Sequence, residues 1–199
     1  MSRRDLVDKW NSRYQGADPD RAQAAEVLAW YMYLLPGSGT ALDVASGLGG
    51  NAILMAGHGL DTEAWDLSDQ AVAALNRFAP NHYLPLRAVC RDVVSKPPDL
   101  ECFDVIACSR FLDRSVCPAL SAALRPGGLL FYQTFTRLRV HGGGPGNPDY
   151  LLGDGELQRL FADLQPVVYM ELRDLGDITQ GFRDQAMLIA RKPWDVATP

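Results

Sequence analysis

Short apolar runs alternate with helix-like stretches along most of the 199-residue chain, and this alternation limits the possible folds more than any other feature. The runs that read as strands are TALDVAS, LDTEAWDLS, LPLRAVCRDV, FDVIACSRF and LLFYQTF. The helical stretches between them are GNAILMAGHG, DQAVAALNRFAP and SVCPALSAALRPGG. Because strands joined by crossover connections pair in parallel, the pattern predicts an α/β fold with helices on both faces of the sheet.

The two ends of the chain depart from this central pattern. ADPDRAQAAEVLAWYMYLLPG is predicted to be one helix, with an N-cap at Asp18 and Pro19 in its first turn. After the fifth strand, TRLRVHGGGPGNPDY is predicted as a loop, and LLGDGELQRLFADL as a helix capped at Asp154. PVVYMELRDL and QAMLIARKP then predict an antiparallel hairpin at the sheet edge.

Three glycines break the chain between the first strand and the helix that follows it. Gly47 and Gly49 lack a Cβ, so the backbone can turn tightly there and a ligand can approach it closely. The following helix presents unpaired N–H groups to an anionic or polar group. Asp66 ends the next strand, where its carboxylate can accept hydrogen bonds from a ribose diol. The arrangement therefore predicts a nucleoside-bearing ligand.

The segment GLGGNA also satisfies a dinucleotide-binding pattern, so a nicotinamide dinucleotide stays a candidate ligand. Three features count against it. No tyrosine is followed four residues later by a lysine, and the chain is short and ends in a hairpin. In addition, Asp43 precedes the glycines inside the first strand; a carboxylate there repels a pyrophosphate but tolerates an amino-acid tail with an ammonium and a sulfonium.

With these motifs the sequence resembles the class I S-adenosylmethionine-dependent methyltransferases, from ALDVASGLGGNA to QAMLIARKP. The family's first motif, an acidic residue followed by alternating glycines, matches Asp43, Ala45, Gly47 and Gly49, with Ala45 in place of the usual first glycine. The resemblance implies S-adenosylmethionine as cofactor and S-adenosylhomocysteine as product. It also implies a doubly wound, Rossmann-like, seven-stranded sheet that is mostly parallel, with an antiparallel C-terminal hairpin.

The resemblance also assigns roles to residues at the ends of the other strands. Asp66 would bind the ribose, and Leu67 would lie against the adenine. Asp92 would face the adenine amino group, and Val93 would offer its backbone N–H to the ring. The end of the fourth strand, which includes Cys108, would flank the methionine moiety and the substrate.

Within this class, the small size and the ending NPDYLLGDGELQRLF most resemble the tellurite-resistance type, relatives of the thiopurine methyltransferases. The segment CSRF lacks the Asn/Asp-Pro-Pro-Tyr pattern of enzymes that methylate amino groups of nucleic acids. A net charge of −5 also disfavours nucleic acid as a partner, so the expected acceptor is a small molecule. Soft sulfur, selenium or tellurium nucleophiles are candidates, and because they need no general base we assign no catalytic residue.

Four residues are candidates for the acceptor pocket. Arg110 follows the fourth strand and could hold an anionic acceptor, or it could form a surface salt bridge. Phe111 could line the pocket or belong to the core. Trp10 and Tyr14 could cover the cofactor from the N-terminal segment or simply anchor that segment.

We expect one methyltransferase domain over 1–199, divided into an N-terminal helical cap segment (1–37), a cofactor-binding core (38–135), and a lid loop, helix and hairpin (136–199). The glycine-rich loop carries basic side chains that form either a cationic lid or a solvated surface: Arg137, Arg139 and His141. The cysteines lack metal-ligand spacing, so free thiols and no metal site are expected.

No secretion signal or membrane segment is visible in the sequence, which predicts a cytoplasmic protein without membrane partners, as a monomer or homodimer. A noncatalytic regulatory protein that binds a nucleoside or S-adenosylmethionine on the same fold is the main alternative function. An NAD(P)-dependent reductase is the lesser alternative.

Overall fold

A computed structural model describes residues 3–194 of the chain and contains one seven-stranded sheet with the order β3-β2-β1-β4-β5-β7-β6. The strands are Thr40–Val44 (β1), Asp61–Asp66 (β2), Leu86–Cys90 (β3), Phe103–Ser109 (β4), Leu124–Phe135 (β5), Gln165–Met170 (β6) and Gln185–Arg191 (β7). Strands β1 to β5 pair in parallel, whereas β7 is antiparallel to both β5 and β6. This confirms the predicted doubly wound, Rossmann-like α/β fold with its antiparallel hairpin.

Within the described residues six α-helices pack around this sheet: Arg3–Tyr14 (α1), Glu26–Ala29 (α2), Gly50–Gly57 (α3), Asp69–Asn81 (α4), Cys117–Ala123 (α5) and Glu156–Leu160 (α6). Because side chains alternate along a strand, β1 sends Ala41 to one apolar layer, with α2 and α3, and Leu42 to the other, with α5 and α6. No helix of residues 3–194 combines the length and the apolar character that a membrane crossing requires.

The single helix predicted from Asp18 is wrong, because α2 and two flanking 3₁₀ turns replace it. Ala25 donates its backbone N–H to Asn51 Oδ1 over 2.9 Å, and Val27 donates to Gln133 Oε1 over 2.8 Å. Both acceptors are buried side chains from distant parts of the chain. These contacts satisfy the backbone outside a helix, so the segment before α2 runs extended across the start of α3.

Two predicted helix boundaries also move. The cap at Asp154 is wrong, because α6 begins after Gly155 in the left-handed conformation, and Asp154 instead pairs with Arg173. Helix α5 ends before the Pro-Gly-Gly segment rather than at it, because β5 already begins at Leu124 and pairs there with Phe103.

The glycine-rich segment after β5 is a loop, as predicted, and it is tied down by hydrogen bonds. Val140 donates its N–H to Asp184 Oδ1 over 2.6 Å, and His141 donates to Asp184 Oδ2 over 3.2 Å. The Arg139 guanidinium donates to the Gly143 and Pro145 carbonyls of the same loop. The loop is therefore folded onto the start of β7 rather than simply solvated.

Candidate functional site

The break after β1 is built from left-handed backbone. Ala45, Gly47 and Gly49 have φ angles of 52°, 53° and 78°. A Cβ added to Gly47 would lie 2.7 Å from the Tyr14 hydroxyl, and one added to Gly49 would lie 2.5 Å from a Leu75 methyl carbon. The bend therefore requires glycine at both positions, for conformation and for space.

Asp66 joins this bend to the end of β2. Its Oδ2 accepts the Gly47 N–H over 2.7 Å, and its Oδ1 accepts the Ser68 N–H over 2.8 Å. Burial raises the pKa of the Asp66 carboxyl, while hydrogen bonds from the backbone N–H groups of Ser68, Gly47 and Leu67 oppose the rise. An ionised carboxylate has about four acceptor positions, so the Asp66 carboxylate keeps acceptor capacity for a further donor.

Asp43 lies beneath the same bend and is fully buried. Its Oδ1 accepts from Asn51 Nδ2 and its Oδ2 accepts from the Ala52 N–H, both over 3.1 Å. Burial raises the pKa of the Asp43 carboxyl to about 7; these hydrogen bonds oppose the rise, and the nearby charge of Asp66 adds to it. Asn51 Nδ2 also donates to Ser109 Oγ, which connects β1 and α3 to the end of β4.

A cavity of about 500 Å³ opens at this edge of the sheet. Eight of the predicted site residues line it: Trp10, Tyr14, Ala45, Gly47, Asp66, Leu67, Arg110 and Phe111. Several polar residues that were not predicted also line it: Arg13, Arg21, Glu26, Ser46, Asn51 and Ser109. Of these, Ser46 and Asn51 lie next to the glycines of the bend, and that position in the sequence could have identified them as site residues. Arg21 and Glu26 lie inside the segment that was wrongly predicted to be one helix.

The Ser46 hydroxyl has no hydrogen-bond partner within residues 3–194, although its oxygen is buried. Native proteins nearly always pair buried polar atoms, and exceptions often mark a position that a ligand or water completes. Because Ser46 lies between Ala45 and Gly47 in the wall of the cavity, its hydroxyl is available to a molecule bound against the bend.

The remaining predicted site residues do not line the cavity. Gly49 packs behind the bend, and Asp43 reaches the cavity only through Asn51. Cys108 is buried in the core, where burial raises the pKa of its thiol well above its usual value. Val93 is also a core residue, and Asp92 lies outside the cavity. All four cysteines are free: Cys90, Cys102, Cys108 and Cys117.

Helix α1 lies across the edge of the sheet where the cavity opens, although none of its side chains is buried. Arg3 pairs with Asp92 over 3.3 Å at one end of the helix. In the middle, Ser68 Oγ donates to Asn11 Oδ1 over 2.7 Å. At the other end Tyr14 lies against Gly47, and burial followed by the charge of Asp66 raises the pKa of its hydroxyl.

Comparison with known proteins agrees with this architecture. No family model matches the chain. Ubiquinone biosynthesis O-methyltransferases of Coxiella burnetii are 29% identical over 101 residues, a match that covers 48% of this chain. The matched region spans only 43% of that relative's length.

Solved structures resemble the chain over much more of its length. TehB from Haemophilus influenzae superposes with a TM-score of 0.69 at 19% identity, over 92% of this chain and 67% of that one. Geranyl diphosphate C-methyltransferase from Streptomyces coelicolor A3(2), solved with Mg²⁺, geranyl diphosphate and S-adenosyl-L-homocysteine, gives a TM-score of 0.68 at 17% identity, over 96% and 98% of the two chains. The chain therefore has the fold of the class I S-adenosylmethionine-dependent methyltransferases.

Proposed function

We propose that the protein transfers a methyl group from S-adenosylmethionine to a small-molecule acceptor. The observation that carries this proposal is the pairing of Asp66 with the bare Gly47 bend in the wall of the cavity. In an open α/β sheet, ligands bind at the carboxyl ends of the strands, where an acidic residue after the second strand can bind a ribose.

Several features of the cavity fit this cofactor. Its volume of about 500 Å³ is within the range of small-molecule sites. The remaining acceptor capacity of Asp66 suits a ribose hydroxyl, and the unpaired Ser46 hydroxyl can donate to or accept from the bound molecule. Asp43 lies below the bend with its pKa raised to about 7, and a bound ammonium and sulfonium would favour its ionised form.

When bound, the cofactor supplies a methyl group already activated by the sulfonium. The chain then has to position the acceptor and exclude water rather than activate the donor. Arg110 and Phe111, beyond the end of β4, line the cavity beside the bend and are proposed to contact the acceptor. Trp10 and Tyr14 are proposed to cover the site from α1. Leu67 is proposed to lie against the adenine, with Asp92 facing the adenine amino group and Val93 offering its backbone N–H to the ring.

For the acceptor atom we propose a soft nucleophile, sulfur, selenium or tellurium, in a cytoplasmic protein of the tellurite-resistance type. Two features support this. No histidine of residues 3–194 lines the cavity, and the Glu26 carboxylate accepts a hydrogen bond from Gln133 Nε2 over 2.6 Å. Neither kind of group is then available as a general base, and a nucleophile that ionises without a general base suits this cavity. The fold shared with TehB agrees with this type, while the Coxiella relative makes oxygen acceptors the necessary comparison.

Calorimetry with S-adenosylhomocysteine tests cofactor binding. We expect the wild-type protein to bind it, and Asp66→Ala to weaken binding at least about tenfold, since charge-assisted hydrogen bonds contribute about 1.5–3 kcal/mol. Asp61→Ala is the matched control, because Asp61 lies exposed at the opposite end of β2. Circular dichroism should show that both variants are folded.

The same experiment separates the alternative functions. Binding of NADH in preference to S-adenosylhomocysteine would replace the proposal with a reductase. If S-adenosylhomocysteine binds, the protein is incubated with S-adenosylmethionine and each member of a panel of thiols, selenite, tellurite, catechols and small amines. Methylated products are then measured by mass spectrometry. Tight binding without product across the panel would favour a noncatalytic regulatory protein.

A further inference from the structure

The cavity is more basic than the chain around it. Three guanidiniums line it, those of Arg13, Arg21 and Arg110, against the carboxylates of Asp66 and Glu26. Both carboxylates already accept hydrogen bonds from the chain itself. In a protein with a net charge of −5, this local excess of cationic groups makes the cavity suited to an anion.

Two of these guanidiniums have no partner. Arg13 lies near the Trp10 ring, with 5.9 Å between its guanidinium carbon and the ring centroid, and it also interacts with Tyr14. Across residues 3–194, by contrast, the side chains of Arg21 and Arg110 make no hydrogen bond, ion pair or ring contact. They are therefore the cavity cations that remain free to bind a ligand.

The backbone of Arg110 is held in an unfavourable conformation that points to a role in the site. Its φ angle is 55°, in the left-handed region that non-glycine residues seldom occupy. Its N–H donates to the Gln133 carbonyl over 2.8 Å, and the fully buried Gln133 side chain in turn accepts the Val27 N–H and donates to Glu26. A surrounding that enforces an unfavourable backbone at a cavity is typical of functional positions.

The sheet register places Arg110 beside the glycine bend. Val44, the last residue of β1, is paired with Cys108 of β4. Ser46 and Arg110 each lie two residues beyond this pair, and both line the cavity. Arg21 enters from the extended segment before α2, whose Gln23 carbonyl packs against the start of α3.

We propose that the acceptor carries an anionic group, a carboxylate or phosphate, which Arg110 binds together with Arg21. This inference rests on the proposed methyl transfer and names the class of its acceptor. A guanidinium binds both kinds of oxyanion through paired, charge-assisted hydrogen bonds. The cofactor's own carboxylate has the same chemistry, so the experiment must distinguish these two sources of the anion.

The test measures binding, so it does not depend on turnover. 3-Mercaptopropionate, its neutral analogue 3-mercapto-1-propanol, and 3-mercaptopropyl phosphate are titrated by calorimetry into the protein, with and without saturating S-adenosylhomocysteine. The variants are Arg110→Gln and Arg21→Gln. Arg77→Gln is the matched control, because Arg77 is exposed on α4 outside the cavity. Thermal unfolding checks that each variant is folded.

We expect at least one anionic thiol to bind the loaded protein about tenfold or more tightly than the neutral thiol. Arg110→Gln should remove this preference and Arg21→Gln should reduce it, while S-adenosylhomocysteine affinity changes less than about threefold. Arg77→Gln should change neither.

Two results would overturn the inference. One is equal binding of neutral and anionic thiols. The other is a large loss of S-adenosylhomocysteine affinity in both variants without any anion preference, which would assign the guanidiniums to the cofactor's carboxylate. Failure of S-adenosylhomocysteine to bind the wild-type protein would instead refute the proposed function, and the unloaded titrations would still decide whether Arg110 binds an anion.

Discussion

Replacing Asp43 with asparagine should change how stability depends on pH, because this buried carboxyl binds its proton much more tightly in the folded protein. Burial raises its pKa from 3.8 to about 7. A group with a raised folded pKa contributes its full stability below the unfolded pKa and loses that contribution as pH rises through the folded value. The wild-type carboxyl therefore opposes folding progressively between about pH 4 and pH 7.

The expected magnitude follows from linkage between these two pKa values. One pH unit of difference corresponds to 1.36 kcal/mol, so ionised Asp43 makes the folded state roughly 4 kcal/mol less stable than protonated Asp43 does. Between pH 5 and pH 8 the stability of the wild-type protein should fall by roughly 2–3 kcal/mol through this group. Asp43→Asn removes the titratable group. The asparagine has one acceptor oxygen instead of two, so either Asn51 or Ala52 loses its acceptor, which lowers the free energy of unfolding by an amount that does not vary with pH.

Urea unfolding of the ligand-free protein, followed by circular dichroism at pH 5, 6, 7 and 8, measures this difference. The free energy of unfolding of Asp43→Asn should rise relative to wild type by roughly 2–3 kcal/mol from pH 5 to pH 8. Asp174→Asn, at an exposed position between β6 and β7, should run parallel to wild type. A difference between Asp43→Asn and wild type that stays constant with pH would refute the reasoning.

Three other substitutions test the backbone of the site and the ion pair between Arg114 and Glu156. Ala45→Gly should raise the free energy of unfolding by up to about 1 kcal/mol in urea titrations, because glycine accepts a φ of 52° without steric cost; a loss would contradict this. Gly50→Ala should weaken S-adenosylhomocysteine binding in calorimetry, since its Cβ would lie 2.3 Å from the Gln23 carbonyl oxygen and displace the cavity wall; unchanged affinity would contradict this. Arg114→Gln should lower the free energy of unfolding at pH 7 by about 1–3 kcal/mol, because its guanidinium donates to both Glu156 oxygens over 2.6 and 3.0 Å. The Arg114 guanidinium lowers the pKa of Glu156, so the stability from this pair should fade on acidification below about pH 4.5, and the variant should approach wild type there.

The sheet was predictable from the sequence because its information is local. Each strand of the core is a short apolar run, and helix α4 has its own start signal in Ser68, which accepts the Ala71 N–H. The short connection between the last two strands was enough to predict the antiparallel hairpin. None of these inferences needed information about residues far away in the sequence.

The segment before β1 was not predictable for the opposite reason. Its backbone partners are side chains 26 and 106 residues away, Asn51 and Gln133. Local propensity favoured a helix, but tertiary hydrogen bonds hold the segment extended and bring Arg21 and Glu26 to the cavity. The sequence therefore predicted the part of the cavity wall formed by the bend and Asp66, while the part formed by Arg21 and Glu26 depends on contacts that only the fold creates.

The unfavourable features of the structure also concentrate where a ligand is proposed to bind. Ala45 and Arg110 have left-handed backbones, Asp43 is a buried carboxyl, and Ser46 has a buried hydroxyl without a partner. Each feature costs stability. Each is explained if a bound cofactor or acceptor gains from it, through the close backbone approach at Ala45, the Asp43 carboxyl, the Ser46 hydroxyl or the Arg110 guanidinium. Local rules that fail together at one cavity mark a functional site more strongly than any one failure does. Ligand binding should therefore recover part of this lost stability, so the ligand-free protein is the form in which the costs can be measured.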